Sequence, residues 1–270
     1  MKRLLTCVFL CLTLMVGLTI PLSAADGSAV ITRIVDSGEL RVGMSGNQPP
    51  FVVKSKDGSL IGYEVDLANM LADAMGAEVK IVEKPFGQLL IALENGEVDV
   101  VMSGMTMTPR RNARAAFVGP YIVSGKSILT KDSTVAAIRE AGEMNKSDIT
   151  LVALENSTSQ RWVEKLMPQA KLVTVADYDA AVDMVINDKV TAMVADMPIC
   201  AISVLRHGDK GLVTTTEPLS IEPIGIALAP GDSLLLNMVE NYLGALEVVG
   251  VLEALENKWF GDASWMINVP

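Results

Sequence analysis

Short apolar runs alternate with amphipathic stretches along the first half of the chain, and this alternation predicts an α/β fold. Residues 40–43 read as a strand. Residues 63–75 read as a helix with Val65, Leu67, Met70, Leu71 and Met75 facing inward, and Gly76 stands where a C-terminal cap belongs. Residues 79–82 form the next strand, 89–94 a short helix ended by Asn95 and Gly96, and 98–102 a nearly continuous apolar strand of the kind buried on both faces. Strand, helix, strand, helix, strand predicts a parallel sheet with right-handed crossovers.

The pattern then changes. Residues 117–121 read as a break, and 122–130 as an extended run. A second series follows, with strands at 150–154, 172–175 and 192–195 and helices at 159–166, 178–187 and 198–205. Residues 221–228 are apolar and extended, and helices at 234–248 and 250–259 close the chain. Residues 137–146 carry both charge signs and read as a solvated surface excursion. The sum is two lobes, each a sheet flanked by helices, joined by extended crossovers near 121–130 and 218–226. The first lobe is expected from 26–122 with 224–270, and the second from 123–223.

The N-terminus changes the compartment. Lys2 and Arg3 precede an uncharged stretch from Leu4 to Ile20, and Ser23 and Ala25 supply the small residues of a signal-peptidase site. A leader over 1–25, cleaved after Ala25, is expected, with an uncleaved anchor as the alternative. Export places the mature chain in the periplasm or outside the cell. Cleavage removes two of the 22 basic residues and none of the 32 acidic ones, leaving a net charge of −12. That balance disfavours nucleic acid and anionic membranes as partners. Of three cysteines only Cys200 would remain, so no internal disulfide is expected, and its apolar surroundings predict an inert thiol.

Candidate chemistry clusters at predicted strand ends. Ser103, Gly104 and Thr106 follow the apolar strand, and Arg111 lies just beyond in a polar stretch with Arg110 and Arg114. A guanidinium binds a carboxylate through two parallel hydrogen bonds, although residue type alone leaves Arg111 open between clamp and surface arginine. Asn156, Ser157 and Thr158 precede a helix whose unpaired N–H groups suit an anion, or are simply capped by Ser157 or Thr158. Asp196 ends a strand and precedes Pro198, which fits either a ligand carboxylate or a helix start.

The runs Gly62-Tyr63-Glu64-Val65-Asp66-Leu67 and Ser103-Gly104-Met105-Thr106-Met107-Thr108-Pro109-Arg110-Arg111 carry a resemblance, joined by Phe117, Pro120-Tyr121, Asp196-Met197-Pro198 and Lys258-Trp259-Phe260-Gly261. In this order they resemble the family 3 solute-binding proteins, the amino-acid receptors of ABC importers. The resemblance implies that Arg111 clamps an α-carboxylate with Thr106, Ser157 and Thr158. It also implies that Asp196 and the Gly104 carbonyl accept an ammonium, and that Phe86, Ser45 and Gln48 shape the side-chain pocket. The family usually has glycine where Asn156 stands, and its cation receptors often carry an aspartate and an aromatic where Ser45 and Gln48 stand. The departures at Ser45 and Gln48 weaken lysine, arginine and ornithine as ligands. Glu64 and Asp66 are expected to cap or flank their helix.

The resemblance further implies a monomer with a membrane permease as partner, and neither cofactor nor metal. No phosphate loop and no dinucleotide fingerprint appears, and the single histidine, His207, stands at a turn. An enzyme is not expected. Two alternatives remain open: an exported cyclohexadienyl or arogenate dehydratase on the same fold, with Glu155 or Asp196 as its acid, or a receptor for another small carboxylate.

Overall fold

The computed structural model describes residues 28–270, and the expected leader, with Cys7 and Cys11, lies outside the described residues. In chain order the elements are α1 (Ala29–Ser37), β1 (Glu39–Met44), β2 (Asn47–Gln48), β3 (Val52–Lys54), β4 (Leu60–Ile61), α2 (Tyr63–Met75), β5 (Glu78–Glu83), α3 (Leu89–Glu94), β6 (Val100–Val101), α4 (Pro109–Asn112), β7 (Ala116–Ser124) and β8 (Lys126–Thr130). There follow α5 (Ser133–Ala136), β9 (Thr150–Leu154), α6 (Thr158–Leu166), β10 (Lys171–Val175), α7 (Tyr178–Ile186), β11 (Ala192–Asp196), α8 (Met197–Arg206), β12 (Val213–Thr214), β13 (Glu222–Leu228), α9 (Ser233–Val248) and α10 (Val251–Glu256).

Two five-stranded sheets build two lobes, in the orders β5-β1-β6-β13-β7 and β10-β9-β11-β8-β12. Within the first, β1 runs parallel to β5 and β6, and β13 is antiparallel to β6 and β7. In the second, β9 is parallel to β10 and β11, and β8 is antiparallel to β11. The helices cover the sheets because Leu67, Leu71, Leu89, Leu93, Val182, Val185 and Ile199 bury one apolar face each. A small antiparallel sheet, β2-β3-β4, covers the start of α2: the free amides of Tyr63 and Glu64 donate to the carbonyls of Pro50 and Phe51 at 3.0 Å.

The expected break at 117–121 is instead continuous strand within β7. Pro120 is tolerated because β7 is an edge strand, and the register shifts between Ile224 and Ile226 on its neighbour. The extended run over 122–130 divides at Gly125: Ser124 still pairs with Glu222 in the first sheet, while Lys126 pairs with Asp196 in the second. The return segment lies against it, with Leu219 N–H donating to Lys126 O at 2.7 Å and Lys126 N–H to Ser220 Oγ at 3.0 Å. Only glycine fits at 125, since a Cβ there would stand 2.1 Å from the Ser220 carbonyl oxygen. The excursion over 137–146 is mostly exposed and holds one 3₁₀ turn, Ala141–Met144, whose Met144 is buried.

Gly125→Ala is therefore expected to force the two crossovers apart and destabilise the fold by about 1–3 kcal/mol, the usual range for overpacking. Gly142→Ala, where a Cβ meets nothing within 4 Å, is the control and should be neutral or slightly stabilising. Urea midpoints of the two variants and the parent protein check this.

Candidate functional site

The carboxyl ends of the parallel strands face each other across a cleft. On the first lobe the chain leaves β6 and turns at Gly104, whose φ of +59° favours glycine and where a built Cβ would stand 2.7 Å from Gln48 Oε1. Thr106 bridges to Ile224, and Thr108 caps α4 by accepting the amide of Arg111 at 3.2 Å. That turn aims the Arg111 side chain inward. Its Nη1 donates to Thr106 O at 2.8 Å, and the guanidinium lies 5.4 Å from the centre of the Phe86 ring. Arg111 is buried, and desolvation lowers its pKa to about 10, opposed by the charges of Asp196 and Glu222 and by Tyr178. Among the described residues no acceptor other than Thr106 O takes a side-chain hydrogen bond from the guanidinium.

The second lobe supplies the start of α6. Asn156 adopts φ +60°, the left-handed conformation that its place before the helix requires, and the built Cβ of Gly87 would stand 2.6 Å from its Nδ2. Ser157 is the N-cap: its Oγ accepts from Gln160 N–H at 3.0 Å and donates to Leu154 O at 2.6 Å, so the hydroxyl is committed to the helix. Thr158 reaches across, with its Oγ1 3.4 Å from Thr106 Oγ1. The lobes thus touch at Thr106–Thr158 and at Gly87–Asn156. Ser45 and Gln48 are buried on the first lobe, where Ser103 Oγ donates to Ser45 Oγ at 2.9 Å.

Asp196 lies at the end of β11, and its carboxylate caps no helix. Instead Lys126, wholly buried, donates from Nζ to Asp196 Oδ1 at 2.5 Å and to Thr158 Oγ1 at 2.7 Å, with Glu222 Oε2 3.3 Å away. Sequence reasoning missed Lys126 and Glu222. A lysine in an extended run reads as solvent-facing, and only the antiparallel register, which pairs Lys126 with Asp196, brings them together.

Glu64 differs from its expected role. It does not cap α2. It is fully buried, and its Oε1 accepts from Gly104 N–H at 2.8 Å and from the Tyr121 hydroxyl. It braces the Gly104 turn against the strand that leads into the crossover. Asp66, on the same turn of α2, accepts from Lys258 Nζ at 2.5 Å and Trp259 Nε1 at 2.7 Å, tying the helix to the chain end.

A cavity of about 600 Å³ opens from the cleft, lined by Phe86, Arg111, Thr158 and the half-buried Trp162, among others. A depression of about 660 Å³ beside Lys131 and Asp188 is more open, and the ion pair it holds is the exposed one between those two residues. Buried Arg111, Lys126, Asp196 and Glu222 gather around the interlobe cleft, so that is the candidate site.

The sequence pattern of the bacterial extracellular solute-binding proteins, family 3, matches residues 40–262. The chain belongs to that family. Among the relatives of this family 3 protein, the L-cystine-binding protein TcyJ of Escherichia coli K12 is 26% identical over 248 residues, 92% of this chain and 91% of its own length. A cyclohexadienyl dehydratase of Pseudomonas aeruginosa is 24% identical over 229 residues, 85% of both chains. Among solved structures, a putative ABC-transporter binding component from Wolinella succinogenes, complexed with lysine, superposes with a TM-score of 0.81 at 34% identity, over 85% of this chain and 99% of that one.

The Glu64 carboxyl of this family 3 protein is raised from 4.5 to about 7 because burial outweighs the hydrogen bonds from Tyr121 and Gly104. Its Oε2 is buried with no partner among the described residues. The native state thus keeps a proton that the unfolded chain has released, and the stability this gives is complete below about pH 4.5. It is lost as pH rises through about 7. Glu64→Gln removes the titration. Between about pH 5 and pH 8 the parent protein should lose roughly 3 kcal/mol relative to the variant, read from urea midpoints at the two pH values.

Proposed function

We propose that this protein is an exported receptor that encloses one small amino acid, or a closely related carboxylate, between its lobes and presents the closed form to the permease of an ABC importer. The observation that carries this reading is Arg111. A desolvated guanidinium stacked on Phe86, with one N–H fixed to Thr106 O and the rest of its fork turned to the cleft, suits a carboxylate. Thr106 and Thr158, one from each lobe, stand beside it, so a bound carboxylate contacts both lobes only when they are together. Differential affinity of that kind drives closure. The relatives named as amino-acid-binding proteins support the same class of solute.

The dehydratase relative keeps an enzyme reading in view. Against it, Glu155 is exposed and the Asp196 carboxylate is held by Lys126, so neither offers a free acid to the cleft. Prephenate belongs in the same test, and its consumption by the purified protein would favour the enzyme.

The test is a thermal-shift panel of the twenty amino acids, small dicarboxylates and prephenate, followed by calorimetry on the ligands that bind. Ligand that binds only the folded form raises the melting temperature. Arg111→Ala is expected to weaken binding by tens-fold or more, corresponding to the roughly 2–5 kcal/mol lost when one partner of a buried charge pair is removed. Trp162, which lines the cavity, should change its emission on saturation. Unaltered affinity in Arg111→Ala, or an unchanged scattering radius with ligand bound, would sink the reading.

A further inference from the structure

The cleft mouth has one sign of charge. Arg110, Arg111 and Arg114 come to it from the first lobe, and Arg161 and Lys165 from the second, while no aspartate or glutamate is among the residues lining that cavity. This stands out in a chain of net charge −10. Arg114 is neutralised from outside by Glu94, at 2.6 and 2.7 Å. Arg161 is not: its Nη1 is buried and finds no hydrogen-bond partner among the described residues. A buried unpaired guanidinium N–H is unfavourable, and this one belongs to a residue that lines the cavity.

The position of these charges couples them to closure. Cations on opposite lobes lie on the two sides of one cavity, and bringing the lobes together raises their mutual repulsion, which salt screens over a Debye length of about 8 Å. A neutral or cationic solute leaves that repulsion in place. An anionic group between Arg161 and Lys165 on one side and Arg110 on the other removes it.

The interior points the same way. An amino acid's ammonium would need a carboxylate, and Asp196 has one oxygen, Oδ1, engaged by Lys126 at 2.5 Å, which leaves Oδ2 for it. Thr158 Oγ1 accepts from the same ammonium, which turns its O–H proton outward as a donor, suited to an anion. The mouth of the site therefore offers cations and donors to its solute and no carboxylate.

We infer that the solute is a small diacid of net negative charge, with one carboxylate on Arg111 and the second anionic group in the mouth beside Arg161 and Lys165. An amino group on it is permitted and not required. This inference rests on the receptor reading above and narrows its ligand class.

The experiment is calorimetry on the full chain with succinate, glutarate, L-glutamate, L-glutamine and L-arginine, at low and at high salt. At least one of the three diacids should bind about tenfold or more tightly than glutamine, a difference of roughly 1.4 kcal/mol, and its affinity should fall more steeply with salt. Arg161→Gln and, independently, Lys165→Gln should each weaken the diacid several-fold while leaving any glutamine binding unchanged. Glutamine or arginine binding as tightly as the best diacid overturns the inference and leaves the receptor reading intact. Binding of none of the five also overturns it. The receptor reading itself fails when the wider panel yields no ligand, when Arg111→Ala leaves affinity unaltered, or when ligand binding leaves the lobes apart.

Discussion

Lys126 is a wholly buried ammonium at the point where the chain passes from one lobe to the other. A charge so placed is tolerated only when every donor is matched. Here Asp196 comes from the end of β11, Thr158 from the start of α6, and Glu222 from the first residue of β13 as the chain returns. One side chain thus links the outgoing crossover, the returning crossover and both functional loops of the second lobe. Removing Asp196 or Glu222 would leave the ammonium underpaired, at a cost of about 3–5 kcal/mol by the usual behaviour of buried pairs. The positions of Thr158 and Asp196 in the cleft therefore depend on Lys126 at least as much as on their own strands and helices.

The first lobe has a counterpart of different chemistry. Glu64 holds the Gly104 turn through its amide and holds Tyr121 through its hydroxyl, and Tyr121 lies on the strand that runs into the crossover. Tyr63 stacks on Tyr121 at 5.6 Å and meets Phe260 edge-on, so the brace is set in an aromatic cluster. The two lobes present their loops to the cleft from rigid supports, one ionic and one through a carboxyl in an apolar wall. Such supports reduce what a solute must order when it binds.

Much of this was legible in the sequence where local chemistry decides the element. The helix over 63–75 is found with those bounds because Gly76 ends it in the left-handed conformation and its apolar positions repeat at helical period. The strand over 150–154 is likewise found as expected. The two-residue strands β2 and β4 were not legible, because segments that short carry no period, and they exist by pairing with β3. For the site, Thr106 and Thr158 are legible from their positions after strand ends, whereas the places of Arg111 and Phe86 were implied only by the family resemblance. The fully committed hydroxyl of Ser157 and the pairing of Asp196 with Lys126 do not, since each depends on partners that only the tertiary fold supplies.

Closure needs more than the contacts the protein makes with itself. Across the cleft the lobes meet through a 3.4 Å approach of two threonine hydroxyls, the fit of Asn156 against Gly87 and the approach of α7 to β2, and these contacts are set against two facing groups of cations. A part-buried pair of neutral hydroxyls at this distance is worth about 1 kcal/mol. A solute that bonds Arg111 on one lobe and the α6 end on the other supplies the missing attraction. The weaker the protein's own interlobe contacts, the more completely closure reports that the solute is present. On the proposed reading the same cations that oppose an unliganded closure are those an anion would satisfy, which makes recognition and closure one electrostatic event.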